Sequence, residues 1–271
     1  MTGTSTSSAR RANPRRWSQL GAAALGGLVA TSPMAFADVA PGAAGVSVAA
    51  EGGEAGEAGL AVAASDRNAY PLRLALMDAH LRVGAAIYEA GAREAASEHV
   101  ANPHHVFYDD LEADMAAEGD AGFAEALARA MEMMAADAPS AEIAQFFEAM
   151  RARLREAAAD TPPLARLEVA MELLRTAAAE YDFAVKDGAL EDLEEYQDAL
   201  GFVETAREIA SGVAASDDPV TRKAGEKAVA AIAASVPAFD GIVPGAGALA
   251  GDGSLLMGAA ARVELAALAL R

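Results

Sequence analysis

From residue 77 onward, apolar positions recur every three or four residues, and glycine, proline or aspartate interrupts the pattern at intervals. In the first run, Met77, Leu81, Gly84, Ile87, Tyr88 and Gly91 fall at the i, i+3, i+4, i+7 spacing of a helix that buries one face. Gly91 accepts the left-handed conformation that ends a helix, and a shorter second helix over about 93–100 runs toward the stop at Pro103. Two short helices with a tight link make an antiparallel hairpin. Amphipathic segments follow near 104–118, 121–136, 140–158, 162–186, 189–215, 218–235 and 254–270. Gly119, Pro139, Asp160 to Pro163, Gly188, Asp217 to Pro219 and a loop over 237–253 divide them. No run of alternating β-branched residues is long enough for a sheet. The pattern predicts an all-α domain over 69–271, built as antiparallel helical hairpins or a helical bundle.

The first 37 residues have a different grammar. Arg10, Arg11, Arg15 and Arg16 form a basic region without an acid, Leu20 to Val29 is a short apolar core, and Ala35-Phe36-Ala37 is an A-x-A cleavage site. This predicts a secretory signal peptide at 1–37 and a periplasmic or secreted protein. Residues 38–68 are rich in Ala, Gly and Glu and carry almost no large side chains. Such a stretch cannot bury enough surface to order itself, so it is expected to be a flexible tether. No later stretch is expected to span a membrane.

Charge and composition then narrow the function. The chain of 271 residues has 21 basic and 40 acidic residues, for a net charge of −19. Removing the leader takes four of the basic residues and no acid, leaving 17 against 40, or −23. So acidic a body argues against nucleic acid and anionic membrane surfaces as partners. The absence of cysteine removes disulfides, thiolate metal sites and cysteine nucleophiles. No GxSxG or Ser-Lys pair supports hydrolysis, and the glycines of 244–251 lack the strand and the Lys-Ser/Thr of a phosphate loop. The Glu168/Glu172 and Glu191/Glu195 pairs are expected to be solvated faces, and Met131, Met133 and Met134 core filling.

What stands out is histidine. All four, His80, His99, His104 and His105, lie within 26 positions. If Gly84 packs near Ala96, the next layer of the antiparallel hairpin brings His80 toward His99, and Asn102-Pro103 delivers His104 and His105 to the same end. His105, Asp109 and Glu112 share one helical face. Two to four imidazoles with carboxylates make a candidate site for a transition metal (Cu, Zn or Fe) or haem, with Tyr108 as a ligand or a hydrogen-bond partner behind the ligands. No HExxH, HxH or Glu-x-x-His spacing is present, so the alternative is a structural histidine network.

Two resemblances bear on this. Gly84, Gly91, Ala96 and Val100 resemble half of a tetratricopeptide repeat, where small residues on two helices let their backbones approach. The alanine-rich, cysteine-free helical character, with the segment Glu194 to Ala210 and its mid-helix Gly201, resembles the imelysin group. That resemblance implies a periplasmic helical bundle associated with iron uptake and sometimes classed as a peptidase. The group's GxHxxE motif is absent: Val83 stands three residues after His80, and Tyr108 three after His105.

The expected function is therefore binding and not catalysis, with an imelysin-like hydrolase ranked last. The first expectation is an envelope protein that holds a metal ion or metal cofactor through His80, His99, His104 and His105 with Asp109 and Glu112. The second is an interaction module for another envelope protein, with Tyr88, Phe107 and Tyr108 as anchors and the histidines structural.

Overall fold

A computed structural model describes residues 68–101, 108–119, 122–245, 247–249 and 251–271, all within one unit, Ser47–Arg271. The expected leader, the expected tether apart from Asn68, and the segment 102–107 lie outside the described residues.

Nine helices account for nearly all of the described chain, and the fold is all-α. They are α1 (Ala69–Glu89), α2 (Arg93–Ala101), α3 (Tyr108–Ala117), α4 (Phe123–Ala135), α5 (Ser140–Ala157), α6 (Pro163–Ala184), α7 (Leu193–Ala214), α8 (Pro219–Ala233) and α9 (Gly253–Ala267). Helix α1 begins well before the expected position 77. Its buried residues include Leu72, Leu74, Ala75, Leu76, Met77, Ala79 and Leu81, which point in every direction around the axis. A helix buried all round shows no polar stripe, so periodicity does not announce its start.

The expected helices over 162–186 and 189–215 also change at their junction. Val185–Lys186 (β1) pairs antiparallel with Ala189–Leu190 (β2) in the register Val185↔Leu190 and Lys186↔Ala189. Asp187 and Gly188 between them have φ of 52° and 78°, the paired left-handed conformations of a two-residue hairpin turn. Asp192 then caps α7, its carboxylate accepting from the backbone N–H groups of Glu194 and Glu195.

Helices α6, α7, α8 and α9 form a four-helix bundle in which α6 and α8 each pack against both α7 and α9. Helix α1 lies against α7 and α6 on one side and is covered by α2 and α5 on others. Short α3 and α4 complete that second layer, α4 packing on α5 and α2. At one end of the bundle Phe239 plugs the space between Tyr181 and Tyr196, with ring centroids 5.2 and 5.4 Å away. The Tyr181 hydroxyl donates to the Ala238 carbonyl at 2.8 Å, and the Tyr196 oxygen accepts the Asp240 N–H at 2.8 Å.

One helix bears on the expectation that no later stretch spans a membrane. Among the described residues, the stretch Gly253–Leu270 is long and apolar enough to cross a membrane by length and composition, with a mean hydropathy of 1.5 over 18 residues. In the fold it is a bundle helix: Leu256, Ala259, Ala260 and Val263 are buried against its neighbours, while Met257, Leu265 and Leu268 are exposed. Alanines that serve close packing add to its hydropathy, as lipid-facing residues would.

Candidate metal centre

The α1–α2 hairpin turns at Gly91, whose φ is 89°, so the two helices run back along each other. Gly84 is where they touch. A methyl group there would lie 2.5 Å from Val100 Cγ2 and 3.5 Å from the Ala96 carbonyl oxygen. One turn along α1 from this contact stands His80, and beside Val100 on α2 stands His99. Gly201 plays the same part between α1 and α7, since a methyl on it would strike Val83 and press on the Ala79 carbonyl oxygen. Asp198 and Gln197 precede Gly201 by one turn and therefore share the face that meets α1.

These two close approaches bring three helices to one point. His80 Nδ1 and His99 Nδ1 each lie 3.1 Å from the same oxygen, Asp198 Oδ1. His99 Nε2 lies 2.9 Å from Gln197 Oε1, and Gln197 Nε2 donates to the Ile242 carbonyl at 2.9 Å. The edge of His80 meets the ring of Phe202 at 5.6 Å and 89°. His80, His99 and Asp198 are only 2%, 1% and 5% exposed, so bulk water does not solvate the carboxylate and protein groups or a bound species must.

The chemistry of Gln197 decides the protonation of His99. A backbone carbonyl only accepts, so the amide nitrogen of Gln197 must face Ile242 and its oxygen must face His99. His99 Nε2 therefore carries a hydrogen. In a neutral ring that leaves Nδ1 with a lone pair aimed at the Asp198 carboxylate, an arrangement that requires either a second proton or a cation between them. Burial alone would lower the pKa of His99, but the hydrogen bond and charge of Asp198 and the hydrogen bond to Gln197 outweigh it and hold it above the ordinary histidine range. Burial would likewise raise Asp198, yet the two imidazoles pull it well below the usual carboxylate range.

Among the described residues, His80, His99 and Asp198 form the group whose donor atoms can hold a metal ion, all within 4.8 Å of one another. His104 and His105 lie outside the described residues; Tyr108 and Asp109 belong to α3, but their side chains lie outside them too. Glu112 faces solvent and is not in the trio, because Leu111 and Met115 take the inward face of α3. Tyr88 is not an exposed anchor: it is 1% exposed, and its hydroxyl donates to the Ala138 carbonyl at 2.7 Å. Met134 is buried, with Met131 and Met133 packed against the core. Sequence reasoning missed Asp198 and Gln197. The available signal was Gly201, which marks the side of α7 that another helix approaches.

Residues 157–242 match the family model described as the iron permease-associated 4-helix bundle domain. The matched segment covers α6, α7 and α8 and contains Gln197 and Asp198, whereas His80 and His99 precede it. No curated protein and no solved structure matches the chain.

Proposed function

We propose that this chain is a metal-handling protein of the cell envelope that holds a transition-metal ion, iron(II) foremost, at His80, His99 and Asp198, and works alongside an iron permease. The observation that carries this is the placing of two imidazole nitrogens at 3.1 Å from one buried carboxylate oxygen. Around an ion with bonds of about 2.1 Å, adjacent ligand atoms stand about 3 Å apart, so the spacing suits a shared ion with little movement. Two histidines and one carboxylate with open positions are a donor set suited to non-haem Fe(II). Convergence on a point favours a bare ion over haem, whose plane would have to fit between its axial ligands.

The match of residues 157–242 to an iron permease-associated bundle supports both the metal and the partner. The leader expected at 1–37 supports an envelope location, and kinship with the imelysin group belongs to the same proposal. The protein supplies binding and orientation. Gln197 holds His99 in the tautomer whose Nδ1 faces the ion, and uptake displaces the proton that otherwise sits there.

Anaerobic calorimetric titration with Fe(II), and with Zn(II) as a redox-silent ion, tests this directly. One ion per chain is expected, with a raised melting temperature by mass action. His80→Ala, His99→Ala and Asp198→Asn should each abolish uptake while keeping the helical circular dichroism. Equal uptake by wild type and all three variants, or no uptake and no thermal shift in the wild type, would show that the trio is a structural clip. Tighter binding of Cu(II) would not identify the cargo, because affinity follows the Irving–Williams order at any such site.

A further inference from the structure

A cavity of about 250 Å³ opens where α1, α5, α6 and α7 meet, and none of His80, His99 or Asp198 lines it. Its walls are apolar, with Leu74, Leu154, Val169 and Ile209 among them, while Asp78, Thr205, Glu208, Arg155 and Arg166 bring charge or hydroxyl to its surface. Two of these groups are carboxylates, yet their oxygens are already taken. Arg151 grips Asp78 with Nε to Oδ1 at 3.1 Å and Nη2 to Oδ2 at 3.2 Å, and Thr205 donates to Oδ2 at 3.2 Å. Glu208 Oε2 accepts from Arg82 and from Arg151, and its Oε1 faces Arg155 Nη1 at 3.2 Å.

The donors tell the opposite story. Arg155 uses Nη2 on Glu148, and Arg166 uses Nε on the Thr161 carbonyl at 2.8 Å and Nη2 on the Ala159 carbonyl. Arg155 Nε and Arg166 Nη1 make no hydrogen bond among the described residues. A guanidinium carries five N–H donors and no acceptor, so what the two arginines have to spare is N–H donors. Asp78 and Glu208 are held mainly by Arg151 and Arg82, and Arg155 Nη1 joins them at 3.7 Å from Asp78 Oδ1 and 3.2 Å from Glu208 Oε1, so Arg155 Nε and Arg166 Nη1 are the donors left for a ligand.

We propose that this cavity binds a small organic acid, its apolar body between Leu74, Leu154, Val169 and Ile209 and its carboxylate received by Arg155 and Arg166. The size limits the body: a 150 Å³ apolar cavity holds benzene, so this one suits an acid of about ten non-hydrogen atoms. The guanidinium fork matches a carboxylate in shape as well as charge.

Hexanoate and benzoate are the probes, with hexanol and hexylamine as controls, titrated into the full protein by ligand-observed NMR. The acids should bind saturably, one per chain, and at least about tenfold more tightly than the alcohol or amine, the worth of one charge-assisted pair. Arg155→Met should erase that preference, and Arg155→Lys should restore part of it. Ile209→Trp, which fills the cavity and leaves every ion pair in place, should abolish acid binding while leaving metal uptake intact, so this test stands apart from that of the metal centre. Absence of acid binding, equal binding of hexanol or hexylamine, or unchanged binding in Ile209→Trp would overturn the proposal. Should the variants fail to fold, the ranking of the four probes on the wild type decides alone.

Discussion

At the residue scale, the centre depends on a side chain with no charge. Gln197 is buried, fixed at one end by Ile242 and presenting its oxygen to His99 at the other. Gln197→Leu would strand the Nε2–H of His99 in an apolar setting, a cost of about 1–3 kcal/mol. Denaturant melts should read that loss. The same change frees the ring to rotate and to switch tautomer, so calorimetry should show metal affinity falling about 10–100-fold. A variant that loses stability but keeps full affinity would mean that Gln197 does not orient the ligand. His80 and His99 were visible in the sequence because histidine is scarce there. Asp198 was not, because one aspartate among 40 acidic residues carries no mark until a neighbouring helix covers it.

At the element scale, two glycine contacts set the distances between helices, and the donors ride on those helices. Gly84→Ala would force a methyl group against Val100 Cγ2 and push α2 from α1, costing about 1–3 kcal/mol. It should also weaken metal binding, since His80 and His99 sit on the two helices being separated. Adding Val100→Ala removes the clash, and the double variant should recover affinity that the single one loses. Non-recovery, measured by the same titration, would detach the centre from the hairpin geometry. Most helix bounds were legible because their periodicity and stop residues agree with the folded elements to within a few positions. The exceptions have local causes: α1 is buried all round, and Asp187-Gly188 turns the chain through a hairpin where helical periodicity alone would have carried on.

For the whole molecule, the phenols that the fold has enclosed predict a loss of stability at high pH. Burial first, and then Tyr196 beside it, pushes the pKa of Tyr181 up to about 12. The unfolded chain would ionise near the ordinary value of about 10. The folded state holds this proton more tightly, so its contribution is whole below pH about 10 and is lost as pH climbs through about 12. Tyr181→Phe removes the titration and the hydrogen bond to Ala238, worth about 1 kcal/mol. Melting curves from pH 7 to 12 should show the variant slightly weaker at neutrality and with a shallower alkaline decline. Identical slopes in the two proteins would mean that Tyr181 does not control alkaline unfolding.

By itself the sequence determined the helical class, most helix positions, the acidic charge that disfavours nucleic acid, and the richness of one hairpin in histidine. Each of these follows from local chemistry: side-chain periodicity, the backbone freedom of glycine and proline, and the count of ionisable groups. Only the tertiary structure decided which carboxylate meets the imidazoles, which nitrogen of His99 carries its hydrogen, and which arginines around the cavity have donors to spare. Those depend on residues about a hundred positions apart being pressed together by close helix packing, and no window along the chain contains both sides of such a contact.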